Sequence, residues 1–205
     1  MTGATIAQFA VMTQADTPLI CLPWFSETGH VQSLAQEIAA GVDASGARTV
    51  TMDVTDLSPA DWQALDAASL IAFGCPTYMG STPARYSLFL EEAASAWPDL
   101  RWQDKLAAGF VSAIHPSGDK LSALSRLSIY AAQMGMIWVG QTAIGAPVYP
   151  DRQGLNADGS WLGLMATDSG ETLRPEDAQT ARHFGTRLAQ MAARWERGSV
   201  NIRAN

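Results

Sequence analysis

The amino-acid sequence predicts an α/β domain with a five-stranded parallel sheet and helices on both faces. Short apolar runs alternate along the chain with longer segments whose apolar residues recur at helical spacing. Several of the runs are apolar nearly throughout, as strands covered on both faces are. Such alternation favours a parallel sheet, and right-handed crossovers favour the strand order 2-1-3-4-5.

Two strand–helix pairs are predicted in the first third of the chain. An apolar strand covers residues 17–25, and a helix follows over 28–44. One face of that helix is apolar and consists of Val31, Leu34, Ala35, Ile38 and Val42. The next strand, 48–54, alternates polar and apolar residues, which is typical of an edge strand. Ser58-Pro59 has the form of an N-cap followed by proline at the first helical position, so a short helix comes next.

The middle of the chain continues this alternation. A third strand covers 69–75, and Thr82-Pro83 is predicted to be the N-cap and first residue of a helix. A fourth strand, 105–112, precedes a helix that ends before Gly135. A fifth strand begins over 136–140.

The last third contains a segment that simple alternation does not explain. Residues 141–160 form a Gly-rich stretch that is too long for a simple connection. The run "WLGLMATD", residues 161–168, is predicted to resume strand pairing. The last helix starts near Pro175, with Glu176 and Asp177 in its first turn, which suits the helix dipole.

Composition indicates one domain over 16–198, with an N-terminal extension over 1–15 and a C-terminal tail over 199–205. The first 15 residues lack the basic start of a secretory signal, and no apolar stretch approaches the ~20 residues of a membrane span. The net charge of −7 excludes a protein that binds nucleic acid through clustered basic residues. Cys21 and Cys75 lack metal-ligand spacing and suit buried thiols of a cytoplasmic protein.

Three turns at the carboxyl ends of strands are the candidate binding segments, because ligands bind at that edge of such sheets. They are "SETGHV" (26–31), "PTYMGS" (76–81) and "SAIHPSGD" (112–119). The first offers the hydroxyls of Ser26 and Thr28, a permissive Gly29 and the free amides of a helix start, which together suit a phosphate. The alternative is that Ser26 or Thr28 only caps the helix.

Other phosphate-binding motifs are missing. The chain has no G-x-x-x-x-G-K-[ST] and no G-x-G-x-x-G after a strand. Cys75-Pro76 stands where a phospho-receiver domain would need an aspartate. The second turn places Tyr78 and Met79 where an aromatic ligand would want an apolar platform, although a well-packed turn with one exposed tyrosine is the simpler reading.

The motifs "SETGH", "GCPTYMGS" and the Ser/Gly-containing third turn resemble those of the flavodoxin-like NAD(P)H:quinone oxidoreductases, historically called tryptophan-repressor-binding proteins. The resemblance runs from Pro18 to Ala193, and "GSWLGLMATD" with "RPEDAQTARHFGTRLA" is also similar to related FMN reductases. It implies a flavodoxin-like three-layer sandwich with FMN as cofactor. It further implies hydride transfer from NAD(P)H through FMN to a quinone or similar small-molecule acceptor.

The resemblance also implies roles for individual residues. The phosphate would be held by Ser26, Thr28, Gly29, His30 and Val31. The isoalloxazine ring would be contacted by Pro76, Thr77, Tyr78, Met79 and Gly80. Its pyrimidine side would be covered by Ser112, Ala113, Ile114, His115 and Gly118. Trp97 would line the substrate face together with Met134, which stands where such enzymes often carry a histidine.

Three expectations concern catalysis and assembly. His115 is the candidate proton donor, with an exposed turn residue as the equal alternative. His30 is expected to act through its backbone amide. A homodimer or homotetramer is implied by the resemblance, and tryptophans at helix faces or in loops also favour an interface. The alternative is that these tryptophans only cover the core of the monomer. They are Trp62, Trp97, Trp102, Trp138, Trp161 and Trp195.

A flavodoxin-like electron carrier, which passes single electrons to protein partners, is the alternative function. A carrier is expected to be shorter and to have acidic clusters around the flavin loops. Glu27 and Asp119 are the only acids in the three turns, and the chain has extra length after strand five. The sequence therefore favours the enzyme.

Overall fold

The computed structural model describes residues 17–170 and 173–203, in which strands and helices alternate as the sequence predicts. The elements are β1 (Leu19–Trp24), α1 (His30–Asp43), β2 (Arg48–Asp53), α2 (Pro59–Ala67), β3 (Leu70–Pro76), α3 (Ala84–Ala93), β4 (Leu106–Ala113), α4 (Lys120–Gln133), β5 (Ile137–Trp138), β6 (Leu164–Thr167) and α5 (Pro175–Arg203). The predicted extension over 1–15 lies outside the described residues. The predicted tail from residue 199 begins inside α5, which runs to Arg203.

The sheet is parallel and has the order β2-β1-β3-β4-β5, which confirms the predicted topology. Its fifth position is shared by two short strands. The first half of β4 pairs with β5, where Leu106 lies opposite Ile137. The second half pairs with β6, where Phe110 lies opposite Leu164. The run 161–168 therefore does resume pairing, and residues 139–163 form an insertion between the two halves of one strand position.

Two apolar clusters cover the two faces of the sheet and form its outer layers with the helices. One cluster joins β1 and β3 to the inner faces of α3 and α4. The other joins the opposite face of the strands to α1 and α5. The helices α1 and α5 touch closely at Gly41 and Gly185, where an added Cβ would overlap a backbone carbonyl of the facing helix. Glycine is therefore required at this crossing.

The predicted helix starts differ in accuracy. Ser58 forms the expected N-cap, because its hydroxyl accepts from the Asp61 amide at 3.3 Å and the Asp61 carboxylate accepts in return from the Ser58 amide at 2.8 Å. The prediction for Thr82-Pro83 is wrong by one residue. Pro83 has an extended ψ of 154° and precedes the helix, which begins at Ala84. Gly135 follows α4 with a φ of 74°, as predicted.

Buried polar contacts hold the insertion against the sheet. The Lys120 side chain is 1% exposed and forms an ion pair with Asp158 of the insertion. Its ammonium also donates to the Ala166 carbonyl and to the Thr167 hydroxyl, both at 3.1 Å. The insertion is thus tied to the start of α4 and to the end of β6, both of which lie at the carboxyl edge of the sheet.

Candidate functional site

A cavity of about 630 Å³ lies at the carboxyl edge of the sheet, where the three predicted turns meet. Its wall comes from those turns and from the residue after β6: Ser26, Glu27, Thr28, Val31, Pro76, Thr77, Tyr78, Met79, Ser112, Ala113, Ile114, His115, Gly118 and Asp168. The wall contains all but three of the residues predicted to contact the cofactor. The three outside it are Gly29, His30 and Gly80, while Glu27 and Asp168 are additions that the sequence did not predict.

The first turn contains a hydroxyl bonded to a helix amide and the amides of the start of α1. The Ser26 hydroxyl oxygen accepts from the Val31 amide at 3.1 Å and so satisfies one of the first amides of α1, while the N-cap position itself is held by Gly29. The proton of the Ser26 hydroxyl remains able to donate to a ligand, because a hydroxyl accepts and donates at once. Gly29 immediately precedes the helix with a φ of 87°. The first amides of any helix lack acceptors within the helix and, with its dipole, favour an anion.

Asp168 is the principal residue that sequence reasoning missed. Its carboxylate accepts from the Thr28 hydroxyl at 2.9 Å and from the Gly170 amide at 2.9 Å. Its own amide donates to the Ala113 carbonyl at 2.8 Å, which continues the pairing of β6 with β4. The side chain is buried. The sequence carried one signal, since Asp168 is the last residue of a run predicted to return to the sheet.

The second turn projects side chains over the cavity. Tyr78 and Ser81 exchange backbone hydrogen bonds of 2.9 and 3.0 Å around Met79 and Gly80, which have φ values of 48° and 77°. Two positive φ values are typical of a tight type I′ turn. Met79 is therefore fully exposed at the tip. The Tyr78 hydroxyl donates to the Glu27 carboxylate of the first turn, and this bond raises the pKa of Tyr78 to about 12.

The third turn is fastened to the second by Thr77. The Thr77 amide donates to the Ser112 carbonyl at 2.9 Å, and its hydroxyl donates to the Gly118 carbonyl at 2.9 Å. The side chains of Ile114 and His115 are exposed and lie on the cavity wall. The turn thus offers apolar surface and one imidazole, while its backbone conformation is fixed by Thr77.

The charged residues of the wall are acidic. Among the described residues that line the cavity, Glu27 and Asp168 carry formal negative charges and none is a lysine or an arginine. An anion in the first turn would therefore be held by hydroxyls, amides and the dipole of α1.

The two predicted substrate residues lie elsewhere. Trp97 and Met134 line a separate hollow of about 450 Å³, together with Ala94, Tyr130 and Gln133. The residue after Met134, Gly135, accepts from the amide of Asp104, which stands just before β4, at 2.9 Å. This hollow is therefore at the amino edge of the sheet, opposite the cavity. Their substrate role stays a prediction.

A family model, curated relatives and solved structures all show similarity to flavodoxin-like proteins. A family model described as Flavodoxin matches residues 24–121. The chain is 32% identical to flavodoxin FldP of Pseudomonas aeruginosa over 174 residues, which cover 82% of this chain and 93% of the relative. It is 25% identical to an NAD(P)H dehydrogenase (quinone) of Archaeoglobus fulgidus over 195 residues, 84% of this chain and 96% of that one. Among solved structures, a "flavodoxin, WrbA-like protein" of Agrobacterium tumefaciens superposes with a TM-score of 0.69 at 30% identity, covering 87% and 99%.

Proposed function

The chain belongs to the flavodoxin family, and on that premise we propose that it is an oxidoreductase that binds FMN in the carboxyl-edge cavity. We further propose that it transfers a hydride from NAD(P)H through FMN to a quinone or similar acceptor. The observation that carries the proposal is the convergence of an anion-binding turn, an apolar wall and polar backbone groups in that one cavity. Relatives named NAD(P)H dehydrogenase (quinone), 23–25% identical over nearly their whole length, support the reaction class.

The residues of the cavity fit the parts of FMN. The first turn suits the phosphate, with the Ser26 hydroxyl and the first α1 amides as donors, apart from the Val31 amide, which donates to Ser26. Asp168 would accept from a hydroxyl of the sugar chain, because a carboxylate is an acceptor only. Met79 and Ile114 would pack against the flat ring. The carbonyls and amides of the third turn would hydrogen-bond its polar edge.

The chemistry of hydride and electron transfer would come from FMN itself. The protein would fix the ring by its three turns and leave one side open to the nicotinamide and to the acceptor in turn. The hydrogen bonds from Thr77 to the third turn would fix the position of the backbone groups that bind the polar edge of the ring. The exposed His115 imidazole on the wall would hold a proton for the acceptor as it becomes reduced.

A homodimer or homotetramer forms part of the proposal. Trp97 and Met134 lie at the opposite edge of the sheet from the cavity of their own chain. If they line the substrate face, they must do so above the flavin of a neighbouring copy. Trp97 and Trp161 are more than half exposed, which supports an interface, whereas Trp102 is buried in the core and donates to Asp66 at 2.8 Å. Analytical ultracentrifugation of the FMN-loaded protein tests this; a monomer would exclude the role of Trp97 and Met134.

A cytoplasmic setting is likewise proposed. Cys21 and Cys75 are free and buried, and burial raises the pKa of both thiols. No helix within the described ranges 17–170 and 173–203 combines the length and the apolar character needed to traverse a bilayer.

An electron carrier is the second candidate function. The observation that favours it is the 32% identity to a protein named flavodoxin. Steady-state oxidation of NADH and NADPH by FMN-loaded protein, with a benzoquinone as acceptor, separates the two. Turnover with either nucleotide supports the enzyme. No turnover with both, combined with reduction in two resolved one-electron steps during titration, supports the carrier.

The role of His115 needs a matched comparison. His115→Gln is expected to slow the half-reaction with the quinone by about 10²-fold or more if the imidazole delivers the proton. His183→Gln replaces an exposed histidine on α5 that is not on the cavity wall, and is expected to leave the rate unchanged. Equal rates in both variants would remove His115 from the mechanism.

A further inference from the structure

The His30 side chain is buried next to the first turn and makes no hydrogen bond with any residue that the structure describes. It is the first residue of α1 and is 5% exposed. Both ring nitrogens, Nδ1 and Nε2, lack a partner. The ring lies outside the cavity wall, although its backbone belongs to the proposed phosphate turn. Because a buried polar group without a partner is costly, this ring calls for an explanation beyond packing.

Four charged groups act on His30 from three neighbouring elements. They are Asp168 after β6, Arg174 and Asp177 at the start of α5, and Lys120 at the start of α4. Burial lowers the pKa of His30, and the two carboxylates oppose this effect. The neutral imidazole is accordingly favoured at neutral pH in the chain by itself.

The pairing of these charges leaves one carboxylate without a cation. Arg174 is bound to Asp177 by two hydrogen bonds of 2.7 and 2.8 Å. Lys120 is bound to a carboxylate of the insertion. Asp168 accepts from neutral donors, of which the Thr28 hydroxyl belongs to the phosphate turn. A phosphate in that turn would therefore add negative charge beside a carboxylate that no described lysine or arginine neutralises.

We propose that His30 takes up a proton when the phosphate of FMN binds in the first turn, and so becomes the counter-charge of the phosphate and Asp168. The inference rests on the proposed function, since it requires FMN in the cavity. Two negative groups close to an imidazole favour its charged form and offset the cost of burying that charge. FMN binding would then consume a proton, and the affinity for FMN would weaken as the pH rises.

Isothermal titration calorimetry tests the proposal with FMN and apoprotein in buffers of different ionisation enthalpy. The slope of the observed heat against buffer enthalpy gives the number of protons taken up. We expect wild type to take up more than His30→Gln, with a difference approaching about one proton per FMN near pH 7. The second ionisation of the phosphate, near pH 6, contributes equally to both proteins and cancels. His183→Gln is the control and is expected to match wild type.

A second measurement guards against misfolding of the buried variant. The chain has three histidines, so the NMR titration of each ring can be assigned in wild type with and without FMN. A rise in the pKa of His30 on loading with FMN supports the proposal. FMN binding with equal proton uptake in wild type and His30→Gln, or an unchanged His30 titration, overturns it and leaves the proposed function standing. Failure of FMN to bind overturns both.

Discussion

Gly29→Ala tests the proposal that the first turn binds the phosphate of FMN. Gly29 has a φ of 87° and immediately precedes α1. A Cβ built at this position meets no protein atom within 4 Å. The added methyl group therefore does not collide with the fold, and under our proposal it would crowd a phosphate bound at the start of α1. The substitution should weaken FMN binding through contact between the methyl group and the phosphate. It should lower the stability of the fold only through backbone strain at residue 29.

The two effects differ in size. A left-handed conformation costs an alanine about 1–2 kcal/mol, of which about 0.4–1 kcal/mol is offset by the smaller entropy of the unfolded chain. The net loss of about 1 kcal/mol lowers the thermal midpoint by about 2–4 °C in a chain of this length. Loss of one hydrogen bond to the charged phosphate costs about 1.5–3 kcal/mol in binding, which weakens FMN by about 10- to 150-fold.

Gly46→Ala is the matched control. Gly46 has a φ of 80°, an added Cβ there also meets nothing within 4 Å, and it lies beyond the far end of α1. Thermal unfolding of the apoproteins should show equal losses for the two variants. Fluorescence titration with FMN should show weakened binding for Gly29→Ala alone. If Gly29→Ala retains wild-type affinity while its midpoint falls as in Gly46→Ala, the first turn does not hold the phosphate.

Three further changes probe the frame of the cavity. Tyr86→Phe removes the buried hydroxyl that accepts from the Gly74 amide at 2.9 Å, so denaturant titration should show a loss of about 1–3 kcal/mol in the free energy of unfolding; an unchanged midpoint contradicts this. Lys120→Met removes a buried ammonium from the partly buried Asp158 carboxylate, which still has Arg174 at 3.6 Å, so a loss of about 1.5–3 kcal/mol is expected by the same method, against less than 1 kcal/mol if the pair is effectively solvated. Glu27→Gln removes the carboxylate that raises the pKa of Tyr78 to about 12, so Tyr78 should ionise closer to pH 10 in a tyrosinate absorbance titration. The bond favours the neutral phenol, so the stability that the bond adds to the folded protein is complete below pH ~10 and is lost as the pH rises through about 12. If Tyr78 ionises at the same pH in Glu27→Gln as in wild type, the assignment is refuted.

The arrangement of strands followed from local signals. Apolar runs and helical spacing determine which segments become strands and helices, and the handedness of crossovers restricts their order. The three turns met at one edge because every strand of a parallel sheet ends on the same side. Even the return of residues 161–168 to the sheet was visible as an apolar run.

The side-chain contacts between distant residues could not be predicted from the sequence in the same way. Asp168 reaches the cavity because β6 aligns with Phe110 to Ala113 of β4, and no local pattern states that register. Its bond to Thr28 joins residues 140 positions apart. The start of α3 was missed by one residue because Pro83 stays extended before the helix.

The position of Trp97 and Met134, in contrast, was implied by the predicted topology. A helix that connects two parallel strands runs from the carboxyl edge back to the amino edge. Residues at the ends of α3 and α4 must therefore lie far from turns that follow the strands. A role for both residues at the flavin is therefore incompatible with a monomeric protein, and this follows from the predicted topology alone.

The insertion explains how Asp168 comes to lie on the cavity wall. β5 contributes two residues to the fifth strand position, and the other half of β4 is left to β6. The chain reaches β6 only after residues 139–163, which are held by the ion pair of Lys120 with Asp158. Lys120 also donates to Ala166 and Thr167, directly before Asp168. Lys120, which is buried at this edge, therefore holds the strand directly before the Asp168 carboxylate that accepts from Thr28, while its own charge is paired with Asp158. In our proposal His30, on which Asp168 acts electrostatically, is the group whose charge changes when the phosphate binds.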